Sequence, residues 1–439
     1  MKILKIIHGY PPLYNAGSEV YSQLLCHGLT EAGREVHVFT REENPFAHDF
    51  SVRVMQDSLN QKVTLHIINI PIEKHRYRYR QVDVDNALEK LLGVVKPDIA
   101  HIGHLNHLST SLISTIKKQH IPIVYTLHDY WLICPRGQFI QRNPPKNSEA
   151  WALCDKQENT KCATHCYAGY FSGSAAEKEE DTQYWTNWVA RRKDHLDKVL
   201  SQVDHFISPS KYLMQRYVAE TKIPSDKITY LDYGFQTKYL TGRNRSTDSF
   251  SFGYIGTHIP AKGIQHLILA FSMIKSNARL KIWGRPRSQY TTALQAIISD
   301  FPKEIQERIS WMGEYTNHNI IKDVFNHVDC IVVPSIWMEN SPLVIHEALQ
   351  SRVAVITADV GGMAEYIEHN KNGLLFKHRN IESLHEQMQS LLDNPDLAVR
   401  LGQAGYLQSE DKNIPDIEEH IRNIEMIYQQ LIQPMEKVS

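Results

Sequence analysis

From its first residue the chain alternates short β-branched runs with longer stretches at helical spacing: ILKII, SEVYSQLLCHGLTEAG, EVHVFT, then DIAHI and IPIVYTL. Such alternation argues parallel sheets joined by crossover helices. A second series, FSFGYIG, GIQHLILAFSMIK, RLKIWG, RISWMG, DCIVVPS, PLVIHEALQ and AVITAD, repeats the architecture at domain scale without repeating the sequence. With 439 residues the chain is too long for one usual core, so two doubly wound, Rossmann-like α/β domains facing a central cleft are expected. Between the series, TGRNRSTDS is polar and unpatterned and reads as a linker, with the boundary near Gly234 to Ser249. The expected division is a first domain over 1–235, a second over 236–413 and a C-terminal crossover helix within 414–439. That last stretch, DIEEHIRNIEMIYQQLIQ, has apolar residues at helical spacing and no strand after it, so it is expected to pack back across both domains.

Charge and leader signals narrow the class. Lys plus Arg number 48 against 49 for Asp plus Glu, a formal net charge of -1, which gives no field for attracting nucleic acid. The opening MKILKIIHGYPP has too few apolar residues before Pro11 for a signal region or a membrane span, and no later run reaches span length. A cytoplasmic protein, at most resting on a membrane, is the expectation. No G-x-G-x-x-G follows the first strand and no G-x-x-x-x-G-K-[ST] occurs, which weakens dehydrogenase and NTPase readings. Asp83-Val84-Asp85 opens the helical pattern DVDNALEKLLG, where acids suit the helix start and need no metal to explain them.

The stretch MENSPLVIHE holds acids at Glu339 and Glu347 around a helix start. Ser341 is a capping residue and Pro342 suits the first helical position, so a helix tip with free amides is expected there, ready for a phosphate. Glu347, about 7.5 Å along the axis, suits a ribose diol, and Glu339 suits a hydroxyl of whatever a diphosphate carries beyond. Strand, acid, cap, apolar turn and second acid, followed by a new strand and Gly361-Gly362, together resemble the C-terminal domain of the family 4 retaining glycosyltransferases of GT-B fold.

The resemblance extends over most of the chain. YIGTHIPAKGIQHLILAF is similar to the family's strand, phosphate-binding loop and helix, with the family lysine at Lys262. A lysine there adds a point cation to the helix dipoles and can stabilise charge on a departing nucleoside diphosphate. The family arginine five positions earlier is Thr257 here, and Arg285 in IWGRPRS is the candidate to supply that charge. HGYPPLYNAGSEVYSQLL is similar to the family's glycine loop, with Gly17 free to approach a ligand and Ser18 also a candidate helix cap. VYTLHDYWLICPRG places His128 and Asp129 at a strand's carboxyl end, and the resemblance gives His128 a contact to the donor sugar. It implies catalytic roles for His128, Lys262 and Glu339, and donor binding by Gly17, Gly256, Thr257, Lys262, Arg285, Asn340, Ser341, Pro342, Leu343 and Glu347. The implied activity is retaining transfer of a hexose from a nucleoside diphosphate sugar to a hydroxyl of a saccharide or lipid-linked acceptor, in polysaccharide or glycolipid assembly, without a catalytic metal. A sugar-nucleotide epimerase and a non-catalytic binding subunit of the same fold remain open, the latter because of Thr257.

Two segments fall outside this pattern. Cys26 and Cys330 read as buried thiols in apolar runs, whereas Cys134, Cys154, Cys162 and Cys166 share a polar insertion at about 134–180. There a structural zinc site and free thiols both stay open. Lys74-His75-Arg76-Tyr77-Arg78-Tyr79-Arg80 is a cationic and aromatic run, suited to anionic headgroups or to a solvated loop.

Overall fold

The computed structural model describes residues 1–71, 79–170, 173–245 and 248–432. Most of the Lys74–Arg80 run, and with it the expected membrane contact, lies outside the described residues. The chain divides into two units: Met1–Phe235 with Pro415–Ser439, and Gln236–Ile414.

The first unit is built on strands β1 (Lys2–Ile6), β2 (Glu35–Glu42), β3 (Val52–Gln56), β4 (Val63–Asn69), β5 (Ile99–Ile102), β6 (Ile123–Thr126), β7 (His205–Ser208) and β8 (Ile228–Tyr230). Their order is β3-β4-β2-β1-β5-β6-β7-β8, parallel throughout except where β3 pairs antiparallel with β4. The central strands β5 and β6 are buried at every residue, as strands covered on both faces must be. β3 is exposed at all five positions and closes one edge. The helix Gly17–Glu31 crosses from β1 to β2, and β1 then pairs with β5 on its other side, which makes the carboxyl ends of β1 and β5 a topological switch point.

The second unit has β9 (Ser251–Ile255), β10 (Arg279–Trp283), β11 (Ile309–Gly313), β12 (Cys330–Val333), β13 (Ala354–Ala358) and β14 (Leu374–Phe376). The order β11-β10-β9-β12-β13-β14 is wholly parallel, and its switch point lies between β9 and β12. The segment read as a linker is anchored to this unit: Arg243 donates to the carbonyls of Phe325 and Val328 at 2.8 and 2.6 Å, and Arg245 pairs with Asp329.

After the second unit the chain returns at Pro415, where the Phe235 amide donates to the Pro415 carbonyl at 3.0 Å and the Ile417 amide to the Phe235 carbonyl at 2.9 Å, and the helix Ile417–Ile432 completes the first unit. This helix lies within the first unit, and its apolar face packs there. Ile421 meets the Gly28 surface, Arg34 pairs with Glu425, Tyr21 bonds His420 at 2.8 Å and Tyr428 bonds His101 at 2.6 Å. Among the described residues no helix is long and apolar enough to cross a membrane. Asp83 and Asp85 lie in the first turn of the helix Val82–Val95, as helix electrostatics requires.

Candidate active site

The expected phosphate-binding elements meet at the carboxyl edge of the second sheet. Gly263 holds φ +68°, and a Cβ there would lie 1.9 Å from the Pro334 carbonyl oxygen, so only glycine lets the loop after β9 press against the end of β12. The Ile336 amide closes this approach by donating to the Ala261 carbonyl at 2.9 Å. On the other side Gly362 donates its amide to the Glu339 carbonyl at 2.8 Å, and a Cβ at Gly362 would stand 1.3 Å from the Asn340 carbonyl oxygen. Loops following three strands are thereby stacked around Glu339.

The side chains then follow. Glu339 is 5% exposed, and a carboxylate so enclosed needs a cation or strong donors. Lys262 Nζ stands 2.8 Å from its Oε1, and Ser335 Oγ donates to the same oxygen. The Lys262 ammonium also lies 5.9 Å from the centre of the Trp337 ring. Loop acid and loop lysine, remote in sequence, form one charged pair at the switch point.

The helix after them begins one residue later than expected. Pro342 is the N-cap, with ψ 114°, and the helix runs Leu343–Gln350 without a side-chain cap at that residue. The Ser341 hydroxyl, buried, accepts a bond from Tyr366 Oη at 3.0 Å. The first-turn amides of Leu343 and Val344 have no carbonyl four residues back within the helix, so the tip keeps its partial positive charge. His346 supports the tip from beneath: it is fully buried, its Nδ1 is 3.2 Å from the Pro342 carbonyl, and its ring packs 4.2 Å from that of Tyr366.

Glu347 stands one turn further along this helix, partly exposed but enclosed by protein. Burial pushes its carboxyl up to about 7, with His346 opposing. Tyr315, just past β11, is held well above the usual phenol range, first by burial and then by the charge of Glu347. Sequence reasoning missed Ser335, Trp337, Tyr315, His346 and Tyr366. The nearest signal was position: Ser335, Trp337 and Tyr315 lie just beyond a strand and Tyr366 just after Gly361-Gly362, whereas His346 sits within the helix itself.

Thr257 and Gly256 lie in the loop after β9, and Arg285 lies directly beside them, because the His258 amide donates to the Arg285 carbonyl at 3.0 Å. The Arg285 guanidinium itself pairs with Glu314 at 3.1 Å on the surface. His258 is buried, bonded to Thr291 at 3.1 Å and packed 5.1 Å from the Trp311 ring.

In the first unit, Gly17 is the exposed first residue of its helix, whose N-cap is Ala16. Ser18 is therefore not the cap, and its hydroxyl donates to Glu19 at 2.8 Å instead. His128 follows β6, with Nδ1 2.6 Å from the Tyr233 hydroxyl. Burial, then the charges of Lys5 and His104, hold its imidazole well below the usual histidine range, so it is neutral at pH 7. Asp129 turns back on its own loop, accepting from the Trp131 amide at 2.7 Å, with His104 Nε2 at 3.2 Å. All six cysteines are free and buried, and among the described residues no group of three or more His, Cys, Asp or Glu side chains is already gathered at metal-holding distances.

The family model described as Glycosyltransferase Family 4 matches residues 16–238, just over half the chain, and that described as Glycosyl transferases group 1 matches residues 237–408. An uncharacterized glycosyltransferase of Methanocaldococcus jannaschii, MJ1607, is 20% identical over 409 residues, covering 88% of this chain and 87% of its own. The capsular polysaccharide biosynthesis glycosyltransferase CapM of Staphylococcus aureus is 23% identical over 229 residues, 47% of this chain and 57% of CapM. HepE of Anabaena, solved in complex with UDP-glucose, matches with a TM-score of 0.65 at 15% identity, covering 98% of this chain and 100% of HepE, and shares its GT-B fold of two Rossmann-like domains.

Proposed function

The chain belongs to glycosyltransferase family 4, and from that premise we propose that it transfers a hexose from a nucleoside diphosphate sugar to a hydroxyl of a saccharide or lipid-linked acceptor, with retention at the anomeric carbon. The observation that carries this reading is the Lys262–Glu339 pair, 2.8 Å apart, set beside the uncapped start of the helix Leu343–Gln350 with Glu347 further along it. Helix amides and an ammonium are the groups that hold a diphosphate and stabilise it as it departs. Glu347 accepts the ribose hydroxyls, and Glu339 both aims Lys262 and faces the sugar side of the site. The bond from the anomeric carbon to the diphosphate oxygen breaks while a bond to the acceptor oxygen forms on the same face. The acceptor proton leaves with the diphosphate. Lys262 and the helix amides supply the positive charge for this departure, so no catalytic metal is required. His128, a neutral hydrogen-bonding group, keeps its assigned role toward the sugar as part of the proposal. HepE bound to UDP-glucose supports a nucleotide-sugar donor, and CapM supports an acceptor in polysaccharide assembly.

A panel of nucleoside diphosphate sugars, screened by thermal stabilisation and then by transfer in the presence of a chelator, tests the reading. Stabilisation by one donor and its loss in Glu347→Ala are expected; a donor response unchanged in that variant would count against the assigned role. A second reading, a binding subunit without turnover, draws on one observation: Thr257 stands where the family has arginine, and Arg285 is paired with Glu314. Hydrolysis or transfer of the donor by the purified chain alone removes it.

A further inference from the structure

We propose that Cys134, Cys154, Cys162 and Cys166 form a structural zinc site that staples the insertion of the first unit and braces the loop carrying His128 and Asp129. The four are spread unevenly between positions 134 and 166, yet all line one cavity of about 10 Å³, together with Pro135, Phe139 and Tyr167. That volume is at the lower limit for a single water, so the space fits an ion and excludes an organic ligand. All four are buried, at 7 to 9% exposed, and none is in a disulfide.

Backbone bonds make the convergence specific. The Cys134 amide donates to the Tyr130 carbonyl at 2.7 Å and the Gly137 amide returns to the Cys134 carbonyl at 2.8 Å, a tight knuckle around the first thiol. The bridge between Ile140 and Leu153 sets Cys154 beside it, its amide donating to the Phe139 carbonyl at 2.7 Å. Cys162 ends the helix Asn159–Cys162, and Cys166 lies one turn on in the π-helix Ala163–Tyr167, so both present one face. The Asn143 amide ties the two halves together by donating to the His165 carbonyl at 2.7 Å.

Electrostatics gives an independent argument. Arg192 is 1% exposed, stacks 4.7 Å over the Trp131 ring and donates one Nη to the Trp131 carbonyl, while its other Nη has no hydrogen-bond partner. It has no ion pair among the described residues; burial above all disfavours its charge, and Tyr167, Cys134, Tyr217 and Tyr79 are among the groups that oppose this. A buried guanidinium without a carboxylate calls for a negative centre nearby. Arg136 and Lys156 also line the cavity. Binding zinc, each thiol releases its proton to solvent, four in all, and the resulting centre of two negative charges answers these cations. Four thiolates in a closed site select zinc in tetrahedral coordination, with sulfurs drawn in to about 2.3 Å from the ion. The first knuckle continues directly into Asp129, since the Tyr130 amide donates to the Gly137 carbonyl at 3.3 Å. The ion therefore stiffens the segment in which His128 is held.

The full chain, expressed with zinc in the medium and purified without chelator, should carry about one zinc per chain by elemental analysis, and the Cys162→Ser, Cys166→Ser double variant should lose it roughly tenfold or more. Because that variant can fail to fold, the wild-type chain freed of metal is titrated with cobalt(II), which should give the visible bands of a tetrahedral thiolate site and protect four thiols from alkylation. Hydrogen exchange over residues 128–166 should slow on adding metal. Zinc-free protein that gives no cobalt–thiolate bands while all four thiols react in the native state would overturn the proposal. So would disulfides among the four in unreduced peptide maps, or iron in place of zinc.

Discussion

Replacing Glu347 with Gln tests whether the second unit holds this acid in the environment the structure gives it. Burial lifts the carboxyl from 4.5 to about 7. At 1.36 kcal/mol per pKa unit that displacement disfavours the ionised folded form by roughly 3 kcal/mol, and partial contact with solvent lowers the expectation to about 1–3 kcal/mol. The sign follows from proton binding. At low pH the group is protonated in folded and unfolded chains alike; as pH rises from 4.5 towards about 7 the unfolded chain releases a proton that the folded chain keeps, so stability falls and is fully reduced above that range. Gln does not titrate and lacks this decline. Thermal unfolding of both proteins, recorded from mildly acidic to mildly alkaline pH, should show the variant gaining on the parent as pH rises, by about 2–4 °C per kcal/mol for a unit of this size. Parallel curves would refute the reasoning, because they would mean that Glu347 titrates as an ordinary surface acid.

Nucleotide affinity should tighten as pH rises through about 7, where Glu347 becomes the better acceptor for ribose hydroxyls, and calorimetry should find that dependence absent in Glu347→Gln. Lys262→Ala should lower the transfer rate by about 10²–10³ while nucleotide affinity changes only a few-fold, as measured by initial rates and by titration; an affinity loss as large as the rate loss would contradict a role in the leaving step. Gly263→Ala forces a Cβ onto the Pro334 carbonyl at φ +68° and should destabilise the second unit by roughly 3 kcal/mol or more, seen in denaturant unfolding. Tyr366→Phe removes the bond to Ser341 and should cost about 1 kcal/mol by the same measure.

Much of the fold was legible because central parallel strands write themselves as apolar runs: KILKI, IAHI, IVYT and CIVV coincide with strands whose residues are almost all buried. VRVMQ was not read as a strand, because β3 is an exposed edge whose pairing, rather than its burial, makes it. The helix Ala175–Leu200 was hidden in polar sequence that begins at the end of the cysteine insertion and runs beyond it. Few of its residues are buried, and its start depends on a capping box between Ser174 and Glu177 rather than on periodicity. In the site, Lys262, Glu339 and Glu347 could be picked out by their local spacing and family resemblance. The Ser335 and Tyr366 bonds could not, since each depends on how loops from different strands stack, and that stacking is fixed by close backbone approaches at Gly263 and Gly362. Ser341-Pro342 illustrates the limit: the residue types pointed to a helix start, yet Ser341 is buried against Tyr366 and Pro342 takes the capping position.

The central claim is that the helix tip at Leu343 and the Lys262 ammonium together grip a diphosphate. The most direct test is a crystal structure of the chain with UDP or GDP. The account predicts phosphate oxygens within hydrogen-bond reach of the Leu343 and Val344 amides and of Lys262 Nζ, with the ribose diol on Glu347. A nucleotide seated elsewhere, leaving those amides and the Lys262–Glu339 pair untouched, would contradict it.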